Sequence, residues 1–574
     1  MKRADDFSTA SWKALVAQPR FVVLCAAGLI AAWGGWKLFW FLTDDAFIAF
    51  RYVSNSMLGY GLVWNPPPFR PVEGYTCLLW VLLLESIWRL TGWPPPEIAN
   101  HILLLFGYGS LALCVLFVKR MHLPPAIGRH RLALLAWVFV GVLSNRTFMT
   151  WLSSGLETAM FNFLLTWWVY CGLTARSQRG PYWVASICTS VVLTTLTRPD
   201  GLLFLLATLV ILALHAADWH NRLHIHWHKL RQAMPLLVIP LHLLWRRSYY
   251  GEWLPNTYYA KYVAPWPESG VRYLASFVVE YALWVWAIIA LWWLVRSAGT
   301  WMGNWPARAY EHHASLLVIG AIGAHIGYYT LKIGGDHFEY RVFSYLIPLA
   351  YLSAIWLLVR TVHIVRAVHV GMALLWLLSL PIPWIHWQET RHLSTRSETI
   401  HMIRPIAYRF PLPLQPLVAQ WDEWQRWLIS HYVCMRHQEH KVFWHDQVSF
   451  WPTREVGGQI PWEERAVAIH NSVGILSWSL PHTAIIDLKG LNDWVIARSP
   501  HTLAVRQMAH DRIPPREYVF CFKPSVYIDT NNGELVVHKR PLSDEAIREC
   551  ETRNWLSDAA AKAEQMRREE QHAQ

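Results

Sequence analysis

The sequence predicts a polytopic α-helical membrane protein of about eleven transmembrane helices, ending in an α/β domain on the outer side of the membrane. Three observations carry this. The 574 residues are 54% hydrophobic and only 16% charged, and the apolar residues lie in long uninterrupted runs instead of amphipathic stripes. Short clusters of Lys and Arg separate the runs, as topology signals do. After Ile385 the runs stop and short strand-like stretches follow.

In chain order, residues 1–20 carry Lys2, Arg3, Lys13 and Arg20 ahead of the first run, with no small-residue cleavage site after it. This reads as a retained signal anchor with the N-terminus inside. Runs long enough to cross start at Phe21, Ile98, Leu132, Leu156, Met234, Val271, Ser315, Val342 and Ile364. The run 182–216 is too long for one crossing, and Arg198-Pro199-Asp200-Gly201 breaks it into two short spans. The basic loops 119–131, 176–179, 222–231, 296–308 and 360–366 belong inside. Parity then works throughout, provided the Leu-rich piece 77–90, with Glu85 and Arg89, lies along the outer interface.

The domains are therefore a cytoplasmic N-terminus (1–20), a membrane domain (21–385) with a first outer loop at 43–97, and an outer α/β domain (386–574). In that last part, 466–469 and 484–486 read as buried strands. Residues 516–528 and 534–539 flank Asn531-Asn532-Gly533, a hairpin signal, and a charged helical tail begins at Ser543. The net charge of +12 sits between apolar runs and does not indicate nucleic acid. Of the 8 Cys, four (Cys25, Cys114, Cys171, Cys188) fall in apolar runs. Cys77, Cys434, Cys521 and Cys550 are the disulfide candidates, and nothing in the sequence pairs them.

The parity places every polar cluster of chemical character on one side, the outer one. These are Asp44-Asp45, Glu73-Gly74-Tyr75, Glu157, Arg198-Pro199-Asp200, the stretch 249–261 with Asn256, Tyr258 and Lys261, and Asp336-His337 through Arg341. Two adjacent carboxylates at the mouth of a membrane helix must be solvated, paired or functional. One of them suffices to cap the helix that follows. Carboxylates and cations at one membrane face suit transfer of a phosphate-activated sugar: an Asp or Glu takes the acceptor's proton, and Arg51, Arg198, Lys261 and Arg341 serve the departing phosphate. Each cation also has a plainer role at lipid headgroups. Tyr52, Tyr75, Tyr258 and Tyr259 suit either sugar stacking or the membrane interface. His337 beside Asp336 does not by itself make a metal site, so no metal ligands are assigned.

Several of these stretches are familiar in series. Residues 44–52 (DDAFIAFRY), 59–65 (GYGLVWN), 72–76 (VEGYT), 154–158 (SGLET), 197–201 (TRPDG), 249–261 (YYGEWLPNTYYAK) and 334–341 (GGDHFEYR) resemble the GT-C glycosyltransferases related to the terminal arabinofuranosyltransferases of mycolic-acid bacteria, and similar proteins that glycosylate type IV pilins. The resemblance runs from about 42 to 348 and returns weakly at Val473-Gly474 and 486–493. It implies a GT-C fold in the bacterial inner membrane, active on the periplasmic side, using a polyprenyl-phospho-arabinofuranose donor. It makes Asp44 the catalytic base, with Asp45, Glu73, Glu157 and Asp336 lining the cavity. The composition, with 37 Trp and 28 His, departs from that of mycolic-acid bacteria and brings pilin or another envelope glycan forward as acceptor. The same scaffold using another lipid-linked sugar, and a non-catalytic transporter of such lipids, are the alternatives.

Overall fold

The structure, a computed structural model, describes residues 16–557 apart from 175–181, 221–230, 262–263, 303–311, 501–505, 509–510, 530–532 and 540–541. The basic loop 176–179, most of 222–231, the second half of 296–308, Asn531-Asn532 of the hairpin turn and the tail beyond 557 therefore lie outside the described residues.

Among the described residues five helices are long and apolar enough to cross a membrane: Pro19–Leu38, Pro95–Arg120, His313–Ile333, Arg341–Val362 and Val365–Thr390. Pro at the first turn starts two of them, where its missing N–H costs nothing. The expected spans at Leu132 and across 182–216 fall on shorter apolar helices, Arg131–Leu143, Trp183–Thr197 and Gly201–His215. The count of eleven is thus not reproduced by length. The run from Leu132 stops early because Asn145 caps a new short helix, Arg146–Thr150, with its side chain on the Phe148 N–H. The run from Val271 is two helices, Pro267–Glu280 and Leu283–Gly299, bent by 91°. The break falls at Tyr281-Ala282, where Ala282 has φ +49°, and the first helix is amphipathic while the second is apolar. Counted as one, the pair makes a sixth span.

The Leu-rich piece forms Leu78–Thr91, a 14-residue helix ended by Gly92 at φ +78°, too short to span. Pro19–Leu38 leaves Val22, Val23 and Ile30 more than half exposed. An apolar helix with an apolar outer face suits lipid.

The C-terminal part builds a four-stranded sheet in the order β2-β1-β3-β4. β1 (Val467–His470) pairs in parallel with β2 (Ala484–Asp487) and β3 (Val526–Ile528), and β3 pairs antiparallel with β4 (Leu535–Val537). The expected strand 516–528 is a helix, Arg516–Cys521, followed by the short β3. Pro515 as N-cap and Glu517 in the first turn favour helix there. Ser543 caps the charged helix Asp544–Thr552. Cys521 and Cys550 form a disulfide, their Cα atoms 5.8 Å apart, while Cys77 and Cys434 are buried thiols. One apolar core runs from the apolar helices through residues 43–97 into the sheet, so Phe50 and Trp80 share a cluster with Leu476 and Ile485.

Candidate active site

The site starts from a corner that the backbone fixes. Thr43 caps the helix Asp44–Met57, its hydroxyl accepting from the Ala46 N–H at 3.2 Å. The N–H of Thr43 donates to the Ser154 carbonyl and the N–H of Ser154 to the Phe41 carbonyl, both at 3.0 Å. Asn100, on Pro95–Arg120, closes the corner by donating to the Phe41 carbonyl and accepting from the Gly155 N–H, each at 2.8 Å. Gly155 is required: its φ is +76°, and a Cβ would sit 2.8 Å from Ala46 and Leu42 side-chain carbons. Asp45 and Glu157 thereby leave a common, rigid base.

Arg198 sits at the Pro-Gly corner and is held on three sides. It donates to Glu157 at 3.1 Å, to both oxygens of Asp200 at 3.2 and 3.3 Å, and to the Tyr329 hydroxyl at 2.8 Å. The Tyr329 hydroxyl in turn donates to Asp200 at 2.8 Å, and His325 Nε2 lies 3.1 Å from the same oxygen. Tyr345 reaches the other nitrogen of His325 at 3.0 Å. Such a chain fixes the guanidinium in orientation as well as charge.

Asp336, His337 and Arg341 lie on a loop stitched to residues 432–435. Cys434 and Met435 donate N–H bonds to the Asp336 and His337 carbonyls at 2.9 and 2.8 Å, and His337 Nδ1 lies 2.9 Å from the Tyr432 carbonyl. Gly334 and Gly335, at φ +95° and +103°, turn the chain into this loop, and a Cβ on Gly335 would meet the Tyr273 ring at 2.8 Å. Arg341 grips Asp336 with two bonds, 2.8 and 3.2 Å. That pairing holds Asp336 below the usual carboxylate range although burial pushes it up.

Asp45 and Lys261 face this assembly. Asp45 exerts the leading charge effect on both Lys261 and His337. Burial holds the half-buried His337 below the usual imidazole range, against the pull of Asp45. Asp45 is half-buried and Lys261 exposed, and neither side chain makes a hydrogen bond or ion pair with another described residue. The structure thus gathers Asp45, Glu157, Arg198, Lys261, Asp336, His337 and Arg341 into one cluster, with Asp200, Tyr329 and His325 behind.

The other candidate residues stand elsewhere. Both oxygens of Asp44 accept N–H bonds from Gly474 and Ile475, at 3.1 and 2.8 Å. Burial raises the Asp44 carboxyl to about 7, against the lowering by the Ile475 N–H. Arg51 is fully buried and donates to five backbone carbonyls, those of Trp64, Ser477, Leu480, Pro481 and Thr483; it does not face the cluster as a phosphate ligand must. Glu73 pairs with Arg246 at 2.6 Å. Tyr75 is buried, its hydroxyl 3.2 Å from that of Tyr250, so its ring offers no stacking surface. Asn256 donates to the carbonyls of Gly490, Leu491 and Asp493. Tyr258 is 41% exposed, beside Tyr259.

Sequence reasoning missed His325 and Tyr329, which sit inside an apolar run and acquire meaning only by facing Asp200. It also missed the buried group of Arg146, Glu280, Glu339 and Arg436 beneath the 334–341 loop. There Arg146 contacts Glu339 directly, and Arg436 lies 3.3 Å from the same carboxylate. Among the described residues no group of three His, Cys, Asp or Glu is placed to hold a metal ion.

No protein-family model and no curated protein matches this chain. A solved structure described as ArnT from Cupriavidus metallidurans bound to undecaprenyl phosphate is similar over 90% of this chain and 97% of that one, at 11% identity and a TM-score of 0.44. A likeness that distant decides neither fold nor function.

Proposed function

We propose that this chain is a GT-C membrane glycosyltransferase that moves a sugar from a polyprenyl-phosphate donor to an acceptor on the outer side of the inner membrane. One observation carries the reading. Asp45 is the carboxylate of the cluster without a hydrogen-bond partner among the described residues, and its charge acts on Lys261 and His337 while Glu157, Asp200 and Asp336 are each bound to arginine. A base and a set of cations side by side are what the transfer requires.

In this mechanism the acceptor hydroxyl gives its proton to Asp45 as its oxygen bonds to the sugar's anomeric carbon. The bond from that carbon to the phosphate oxygen breaks, and its electron pair leaves with the polyprenyl phosphate. Lys261 and Arg341 stabilise the growing negative charge, and Arg198, fixed by its three partners, sets the field behind them. The motif series supports D-arabinofuranose as the sugar and pilin or an envelope glycan as acceptor. The disulfide between Cys521 and Cys550 supports an oxidising, periplasmic location for the C-terminal α/β domain.

The test is transfer of radiolabelled arabinofuranose from its polyprenyl phosphate by purified protein, with candidate acceptors present and absent. Acceptor-dependent transfer that falls by about a thousandfold in Asp45→Asn is expected, general-base loss being of that order. Tight donor binding without transfer to any acceptor would favour a transporter. Stronger competition by a lipid-linked hexose would replace the sugar and keep the reaction.

A further inference from the structure

The helix that carries Asp45 is gripped at two points by one short helix far along the chain. Asp44, the residue before Asp45, accepts the Gly474 and Ile475 N–H groups at the start of Gly474–Ser479, across 430 and 431 residues. Arg51, two turns further along Asp44–Met57, donates to the Ser477, Leu480, Pro481 and Thr483 carbonyls at and beyond its other end, at 2.8 to 3.0 Å. The Gly474 and Ile475 N–H groups and the Ser477 carbonyl are among those a helix leaves unsatisfied at its ends, and the Leu480, Pro481 and Thr483 carbonyls belong to the cap and the turn after it. The fit is close, since a Cβ on Gly474 would overlap the Asp44 carbonyl.

Both oxygens of Asp44 and most donors of Arg51 are consumed by this grip, so neither is left to take a proton from an acceptor or hold a donor phosphate. Successive helical residues point about 100° apart, so Asp45 is left out of the grip, and its charge acts on Lys261 and His337.

We propose that Gly474–Ser479 sets the placement of Asp45, and that Asp44 and Arg51 are positioning residues acting through this grip, not participants in proton or phosphate transfer. The inference rests on the glycosyltransferase reading for what Asp45 does, but the grip itself does not. It makes the C-terminal part a component of the active site, and it explains why the DD pair needs both members: one holds and one reacts.

Two measurements on the full-length protein test it. In hydrogen exchange, Asp44→Asn and Arg51→Lys should each speed exchange across residues 474–483 at least tenfold; unchanged protection in both overturns the grip. In the transfer assay, Asp44→Asn and, from the opposite side, Gly474→Ala should both lower kcat by about ten- to a hundredfold, with the donor KM and the acid limb of the pH–rate profile retained. Asp45→Asn should lower kcat by about a thousandfold. Loss of the acid limb in Asp44→Asn, or full kcat in Gly474→Ala, overturns the positioning role. If wild-type protein transfers no sugar, the glycosyltransferase reading fails by itself, and exchange still decides the grip.

Discussion

Arg436 donates to both oxygens of Glu280, at 3.1 and 3.0 Å, and neither side chain is more than 1% exposed. The pair joins the end of the helix Pro267–Glu280, just before the 91° bend, to the segment that stitches the Asp336 loop in place. Arg146 and Glu339 complete a group of two cations and two anions.

Removing one partner leaves an uncompensated buried charge. Arg436→Met is expected to cost about 3–5 kcal/mol, whereas Arg436→Met with Glu280→Met should recover most of it, because Arg146 and Glu339 still balance each other. Thermal unfolding of the detergent-purified protein checks this, and a double variant no better than the single one contradicts it.

Lys261 faces the site without a hydrogen-bond partner among the described residues. A charged contact to phosphate contributes about 1.5–3 kcal/mol. Lys261→Ala is therefore expected to weaken donor binding by about ten- to a hundredfold, read by titration with the polyprenyl phosphate. Lys261→Arg should retain most of the affinity.

Arg341→Lys looks conservative and is expected not to be. A single ammonium cannot reproduce the two bonds to Asp336. The variant should lose turnover by about tenfold or more while its melting temperature moves little, since misplacement of a site group by an ångström already costs that much.

The Asp44 carboxyl, raised by burial from 3.8 to about 7, predicts a pH dependence of stability. Between about pH 4 and 7 the folded state keeps this proton while the unfolded chain has released it, so the folded state binds more protons and stability falls as pH rises through that window. Asp44→Asn should flatten the slope between about pH 4 and 7 in thermal unfolding. An unchanged slope assigns it to other groups.

The disulfide closes a loop of 29 residues. Its loss through Cys521→Ser is expected to cost about 3–4 kcal/mol by the chain-entropy relation. The effect should reach the segment around Arg70, because Glu551, next to Cys550, accepts the Arg70 N–H with both oxygens at 2.9 Å. Proteolysis near Arg70 with and without reductant reads it out.

The sequence by itself determined the membrane character, the places where apolar helices form, the strands at 467 and 484, and the side-by-side occurrence of carboxylates and cations between spans. Those features live in local composition and periodicity, which need no partner to be read. Arg198, Lys261, Asp336, His337 and Arg341 could be named as candidates for that reason. Only the tertiary structure shows which charges are paired and with what. Asp44 and Asp45 are indistinguishable neighbours in the sequence; a contact with Gly474 and Ile475 separates them, and Arg51 is spent on carbonyls of the same region. The pairing of Cys521 with Cys550, the facing of His325 and Tyr329 to Asp200, and the bend after Glu280 follow the same rule. Each depends on a partner far away in the chain, and a side chain's free or occupied state is a property of that partner's position.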